Sequence, residues 1–384
     1  MLTPSAIKTM GWRTVTKVLY CASVWRHLEN FHLPYIQEME SAGFEVHLAA
    51  SGIPKDAPFT HTYNLPIKKS VLSPRNLGAL LRLAKLIHRE RFNLIYVHTT
   101  LAAFLCRIAL FLSRISEARL IYVCHGYFFE VDGSGKVRKT PRSLVYLLCE
   151  KLLSGRTSTL VLMNREDFDS AKRYKLSKDV RFSHGMGLVP ERYVLPAITW
   201  KNDENVVFLC VGELSARKNQ EQLIRAFALV REEIPRSVLW LAGDGSKRVR
   251  CEKLAAKLGI LDYVKFLGHV QEISNVYAAA DVLVSSSRSE GLPFCIMEGL
   301  FFSLPIIASD IKGHRDLIEH GRNGMLYDLD DDSQLARQMV LLGLSGEERD
   351  RLSKQATLPD KYIIDAVMDE YRQIIGLPVP VKNI

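Results

Sequence analysis

Two carboxylates stand eight positions apart in Ser289-Glu-Gly-Leu-Pro-Phe-Cys-Ile-Met-Glu298, around a glycine, a proline and an apolar run. Gly291 relaxes the backbone at a turn. Pro293 suits the first position of a helix, where its missing N–H costs nothing. The main-chain amides of 291–294, from Gly291 through Leu292 to Phe294, would then sit at a helix N-terminus, on the positive end of its dipole, as a seat for a phosphate or diphosphate. Glu290 would lie in the loop and Glu298 about a turn and a half into the helix. They would flank that seat and accept hydrogen bonds from sugar hydroxyls. Two acids at such a spacing are more often a surface loop and an ordinary helix glutamate. Here the turn chemistry and the strand-like run 281–287 directly before it favour the site.

A second group of residues fits the same ligand. In Cys210-Val-Gly-Glu-Leu-Ser-Ala-Arg-Lys-Asn-Gln220 a strand ends, Gly212 turns the chain, and Arg217 and Lys218 arrive just before a helix. Taken alone this is a solvated basic pair. At a strand end of the same sheet as Glu290, two cations suit a nucleoside diphosphate. His125, followed by Gly126 at another strand end, is a further candidate; its plain reading is a satisfied loop histidine.

The elements that must position these residues alternate. In the first half apolar strands are expected at 14–23, 44–50, 94–98, 120–124, 159–163 and 180–183, with helices at 28–42, 77–91, 100–112, 144–153 and 166–174. Leu188 to Asn205 breaks the rhythm with prolines and polar residues and reads as a linker. Strands then return at 206–211, 238–242, 264–267, 281–286 and 305–308, with helices at 220–233, 247–257 and 273–280, the helix carrying Glu298, and a final amphipathic helix at 361–375. Short apolar runs alternating with helices mark parallel sheets covered on both faces. The expectation is an α/β chain of two doubly wound units in tandem, facing across a cleft. Ligands in such sheets bind beyond the carboxyl ends of the strands.

Bulk properties narrow the classes. A chain of 384 residues exceeds what one core comfortably serves. Met1–Gly11 lacks the pattern of a leader, and no run reaches the roughly 18 apolar residues of a membrane span. Seven cysteines without a C-x-x-C pair read as reduced, buried thiols. The net charge of +9 is uneven: +13 over 1–190 and −4 over 191–384. A basic first half suggests an anionic partner. Leu77, Leu80, Leu81, Ala84 and Ile87 share one face of a helix whose other face carries Arg82, Lys85 and Arg89, with Lys68, Lys69 and Arg75 upstream; such a helix can rest on an anionic membrane surface, although its apolar face is more simply read as packed on the sheet.

Several leads fail. Asp328-Leu-Asp330-Asp-Asp332 contains D-x-D but precedes a helix, where acids are ordinary. Gly133-Ser-Gly-Lys136 lacks the first glycine of a P-loop, since position 130 is Glu130 and position 137 is Val137. No G-x-G-x-x-G follows the first strand. The positive charge is spread over many elements without a recognition motif, so no nucleic-acid partner is expected.

The combination G-x-L-x-x-x-K-N, G-D-G, F-L-G and S-x-x-E-G-x-P-x-x-x-x-E closely resembles the retaining glycosyltransferases of family 4, which have the GT-B architecture of two Rossmann-like domains. The resemblance covers nearly the whole chain. Leu65-Pro-Ile-Lys-Lys-Ser-Val-Leu-Ser-Pro74, Val97-His-Thr99, His125-Gly126 with following aromatics, and Asn164-Arg-Glu-Asp167 are similar to the subgroup that builds bacterial exopolysaccharide, capsule and lipid-linked oligosaccharide. The resemblance implies an acceptor-side domain at 1–190, completed by the C-terminal helix 361–384, a linker at 191–205, and a nucleotide-sugar domain at 206–360. It implies that Glu290 holds donor-sugar hydroxyls and Glu298 the ribose hydroxyls. Lys218, helped by Arg217, would bind the diphosphate; amides of 291–294 would complete that anion site, and His125 would approach the donor sugar. The expected reaction takes a hexose or N-acetylhexosamine from a UDP-sugar to a polyprenyl-diphosphate-linked saccharide, with no cofactor and no essential metal. The expected place is cytoplasmic, peripheral at the inner face of the cell membrane. Where the family often has Arg, this chain has Glu213, which leaves phosphate binding to Lys218 and Arg217. The loop Ala22-Ser-Val-Trp-Arg-His-Leu-Glu29 lacks the family's frequent Gly-Gly pair, so it is open to an acceptor role. Another sugar-nucleotide enzyme of the same plan, a 2-epimerase or a soluble sugar synthase, is the alternative.

Overall fold

The computed structural model describes residues 16–68, 70, 73–129, 131, 135–193 and 205–379. The chain divides into two compact units, 1–187 with 365–384, and 188–364. Each is a doubly wound α/β sheet. In the first unit the elements are β1 (Lys17–Val24), α1 (Trp25–Phe31), α2 (Leu33–Ser41), β2 (Glu45–Ser51), β3 (His61–Asn64), α3 (Pro74–Glu90), β4 (Leu94–His98), α4 (Thr100–Leu112), β5 (Arg119–Cys124), α5 (Pro141–Leu153), β6 (Thr159–Leu162), α6 (Arg165–Tyr174) and β7 (Val180–Phe182). All strand pairs are parallel, in the order β3-β2-β1-β4-β5-β6-β7. The central strands are apolar along their length because helices cover both faces: every residue of β4 is buried.

The second unit runs β8 (Val206–Val211), α7 (Gln220–Glu233), β9 (Ser237–Ala242), α8 (Arg248–Lys257), β10 (Val264–Gly268), α9 (Ile273–Ala279), β11 (Val282–Ser285), α10 (Phe294–Phe301), β12 (Ile306–Ser309), β13 (Met325–Tyr327), α11 (Asp332–Leu344) and α12 (Gly346–Ser353). Its order is β10-β9-β8-β11-β12-β13, again with parallel pairs. The last helix, α13 (Ile364–Ile375), joins the first unit. In each sheet the winding reverses once, between β1 and β4 and between β8 and β11. Loops on either side of such a reversal diverge and leave a crevice at the carboxyl ends of the strands.

The structure departs from the sequence reading in several elements. The helix expected at 28–42 is two helices, because Pro34 has no N–H to donate to the turn before it; the chain breaks at His32. Strand β3 carries no apolar run and β13 is only three residues long, so neither gives a strand signal in the sequence. Pro293 is the N-cap residue of α10 rather than its first helical residue. The final helix starts at Ile364, after a 3-10 turn at Asp360–Tyr362. Leu188 belongs to the second unit: its N–H donates to the Tyr362 carbonyl at 2.8 Å and its own carbonyl accepts from Ile364 at 2.9 Å. Most of the expected linker, 194–204, lies outside the described residues, as do 1–15, Lys69, Glu130 and Gly133.

On α3 the buried apolar residues are Ala79, Leu83, Leu86 and Ile87; of the expected face Ile87 is buried and Leu80 and Ala84 pack half-buried on the core, while Leu77 and Leu81 point outward. The cysteines are free thiols, all buried except the half-buried Cys149. Among the described residues no helix is long and apolar enough to cross a membrane.

Candidate functional site

The reversal between β8 and β11 brings Lys218 and Glu290 together across 72 positions of sequence. After β8, Gly212 turns the chain with φ near +145°, and Gly243 comes so close that a Cβ there would lie 2.1 Å from the Gly212 carbonyl. Only glycine permits that approach. The next loop ends in Asn219, which holds φ +54° at the start of α7. Just past the neighbouring strand β11, Ser286 donates to a main-chain carbonyl, that of Lys218 or of Asn219, each 3.0 Å away. Arg288 N–H donates to the Arg217 carbonyl at 2.8 Å. The segment leading to Glu290 is thereby laced to the segment carrying the two cations.

Glu290 is 8% exposed. Lys218 Nζ lies 2.9 Å from its Oε1 and Arg217 Nη1 2.6 Å from its Oε2. Each carboxylate oxygen of Glu290 thus faces one cation and keeps a further lone pair. Burial pushes the Glu290 carboxyl up, but the Lys218 and Arg217 charges win and take it to about 2. Burial lowers the Lys218 ammonium, and the acidic groups around it more than offset this and raise it. Lys218 Nζ also sits 3.9 Å from Cys295 Sγ, in the first turn of α10. Two cations and a helix N-terminus thus converge against a single carboxylate, and the surplus is positive. Such a place favours an anion with several oxygens. Pro293 brings no N–H, so Gly291, Leu292 and Phe294 supply the main-chain amides there.

Glu298 is held from two sides. Tyr193 donates to its Oε1 at 2.7 Å and Tyr277 to its Oε2 at 2.6 Å. Burial raises its carboxyl, and the two hydroxyls oppose that rise. Each oxygen keeps a second lone pair for a hydroxyl of a ligand. The two tyrosines were not foreseen, and neither was His314. That imidazole is buried between Ser285, 3.2 Å from Nε2, and the Ser309 carbonyl, 2.7 Å from Nδ1. Burial takes it down to about 4. Gly313 beside it packs on the Gly291 carbonyl and the Glu290 stem. The only sequence sign was a Gly-His pair following a strand.

His125 belongs to the first unit, at its own reversal. His27 follows β1, His98 ends β4 and His125 follows β5; His32 joins them from between α1 and α2. His98 Nδ1 lies 3.1 Å and His27 Nε2 3.5 Å from His125 Nε2. Tyr20 hydroxyl and His32 Nδ1 are 2.8 Å apart. Burial lowers all four, His27 to about 4, so they stand as neutral imidazoles. Thr99 between them is held at φ +70°, and its hydroxyl meets that of Ser23 at 2.6 Å. A non-glycine residue in that region is strained and marks functional sites. The motif Asn164–Asp167 braces the loop after His125: Asp167 Oδ2 accepts from Tyr127 N–H at 3.0 Å and from Asn164 at 2.8 Å.

Ring nitrogens of His27, His32 and His125 lie within 4.8 Å of one another, a spacing able to hold a metal ion. Glu45, His47 and His61 have the same property, but Lys17 and His47 already contact the Glu45 carboxylate at 3.4 and 2.8 Å. In the acidic run, Asp330 pairs with Arg288, Asp332 with Arg225, and Asp331 caps α11 through the Gln334 N–H.

Comparison with known proteins bears on both units. The model of "Glycosyl transferases group 1" matches residues 195–358 and that of "Glycosyltransferase Family 4" matches 33–181. EpsD of Bacillus subtilis, named as a glycosyltransferase, is 34% identical, over 85% of this chain and 87% of its own. The UDP-Gal:alpha-D-GlcNAc-diphosphoundecaprenol alpha-1,3-galactosyltransferase of Escherichia coli is 26% identical, over 69% of this chain and 70% of its own. HepE of Anabaena, solved with UDP and glucose, superposes with a TM-score of 0.73 at 18% identity, over 94% of this chain and 99% of that one. The last likeness is one of fold, the GT-B class of Rossmann-like domains.

Proposed function

The chain belongs to the glycosyltransferases of group 1 and family 4, and on that premise we propose that it transfers a hexose or N-acetylhexosamine from a UDP-sugar to a polyprenyl-diphosphate-linked saccharide, with retention at the anomeric carbon. The observation that carries this reading is the meeting of Lys218, Arg217 and Glu290 at the N-terminus of α10. That site offers positive charge for a diphosphate beside a carboxylate whose oxygens keep lone pairs for a sugar hydroxyl. The Escherichia coli relative, whose name gives a UDP-sugar donor and a diphosphoundecaprenol acceptor, supports the choice of substrates.

In this reading Lys218 and Arg217 hold the diphosphate, Glu290 orients the sugar, and Glu298 takes the ribose hydroxyls. The acceptor oxygen forms its bond to the anomeric carbon on the face from which the diphosphate departs. The bond from that carbon to the diphosphate oxygen breaks, and the acceptor proton passes to the leaving β-phosphate. Lys218 and the helix dipole spread the developing charge, so catalysis is positioning and electrostatic stabilisation. The neutral histidines around His125 suit contact with hydroxyls of the sugar. No side-chain nucleophile and no metal enters the scheme, and the protein works at the inner face of the membrane.

A panel of sugar nucleotides offered with a synthetic lipid-diphosphate sugar, read by mass spectrometry, tests the proposal. The expected result is an acceptor heavier by one hexose or N-acetylhexosamine from one UDP-sugar, with α configuration by NMR. Conversion of the nucleotide sugar to an epimer, or transfer to a soluble sugar instead of the lipid, would overturn it.

A further inference from the structure

Helix α5 turns apolar residues both ways: Tyr146 and Leu147 pack on the core, and a second set faces outward. Its inner face carries Glu150, buried and bound bidentately by the equally buried Arg107 of α4 at 2.8 and 3.2 Å. Its outer face carries Leu144, Leu148 and Leu152, a stripe at four-residue spacing that runs along one side of a helix. Leu148 is 57% and Leu152 74% exposed, and Val145 widens the stripe. Phe111 at the end of α4 is exposed as well, and Arg156, just past α5, lies over its ring at 5.3 Å. Exposed apolar side chains contiguous on this scale mark a surface that something covers.

The surroundings select what covers it. From Lys136 to Arg156 the chain holds six cations and one acid, and the acid is the buried Glu150. Leucines framed by lysine and arginine match the acyl boundary and the anionic headgroups of one leaflet. We propose that the outer face of α5, with the end of α4, is the surface by which this protein docks on an anionic bilayer. The inference deepens the proposed action on a lipid-linked acceptor and rests on it for the choice of a bilayer over a soluble partner. It moves the membrane contact from α3, where the basic pattern first suggested it, to a helix that turns a stripe of leucines outward.

Flotation of the full chain with phosphatidylcholine vesicles, with and without phosphatidylglycerol, tests the assignment without any sugar nucleotide. Its outcome is therefore separate from that of the donor panel. The wild-type protein should float with the phosphatidylglycerol vesicles at low salt and less at high salt. The L148E/L152E variant should lose at least roughly tenfold in vesicle partitioning, the scale of withdrawing two leucines from an apolar phase. It should keep its transfer rate on a short-chain, water-soluble lipid-diphosphate sugar. L144S/L148S, a milder pair, should give a smaller loss of the same kind, and R82E/K85E on α3 should retain more binding than L148E/L152E. Equal flotation of L148E/L152E and wild type, or no flotation of wild type, overturns the proposal. So does a wild-type dimer in sedimentation that L148E/L152E dissolves, since the face would then belong to a second copy.

Discussion

The two reversal points of this molecule have the same topology and opposite chemistry. Between β8 and β11 the crevice is charged: an ammonium, a guanidinium and a carboxylate meet at a helix N-terminus. Between β1 and β4 it is polar but uncharged, lined by His27, His98, His125 and the hydroxyls of Ser23 and Thr99. Both hold a non-glycine residue at positive φ, Asn219 in one and Thr99 in the other. A shared fold therefore fixes where a ligand can sit, and side chains alone fix its kind. The charged crevice suits a diphosphate. The uncharged one suits hydroxyls, for which neutral imidazoles donate or accept at no electrostatic cost.

The sharpest way to break the contrast is to remove charge from one crevice and an imidazole from the other. K218A should lower kcat by roughly 10²–10³, the scale of losing one contact to charge that develops in the transition state. H125A should cost less, with part of its effect in acceptor KM, if its place is beside hydroxyls. Initial rates over a grid of donor and acceptor concentrations measure both, and a near-normal K218A rate would end the assignment of the diphosphate.

Acid should test both crevices through their neutral imidazoles, the histidine cluster of one and His314 of the other. The histidines bind protons more weakly folded than unfolded, so they contribute stability above about 6.5 that is lost as pH falls toward 4, the value of His27. Glu290 is also depressed when folded, but its contribution persists until pH falls from 4.5 toward 2. Thermal scans across pH should show a first decline between 6.5 and 4, and H98Q should flatten it. A flat wild-type profile in that interval would refute the neutral state of the histidines.

The smallest effect concerns the support of Glu290. G313A places a Cβ 2.6 Å from the Gly291 carbonyl at a residue with φ +79°. It should cost about 1–3 kcal/mol, read as a lower denaturant midpoint, and raise donor KM by displacing the loop. An unchanged midpoint would mean that the loop moves aside freely.

Most of the charged crevice was legible in the sequence. Turn glycines, a proline at a helix entrance and two glutamates at fixed spacing are local features, written within ten or so residues. The pairing of Lys218 with Glu290 was not, because neither segment records that Ser286 and Arg288 tie it to the other. The histidine crevice was hardly legible: His27, His98 and His125 come from three strand ends, and only the sheet order makes them neighbours. Tyr193 and Tyr277 on Glu298, and His314 behind Glu290, were hidden for the same reason. The outer face of α5 was visible as leucines but not as exposed leucines, since periodicity shows that a stripe exists and not which way it turns.

The sequence by itself determined the doubly wound units, the glycine-proline turn before Glu298 and the basic character of the first half, because propensity, turn chemistry and charge act between residues near in the chain. Tertiary structure decided which distant side chains meet, which carboxyl is pushed down and which up, and which apolar face is left uncovered. Burial and long-range contact depend on what lies across the sheet, and no stretch of chain contains that information about its neighbours.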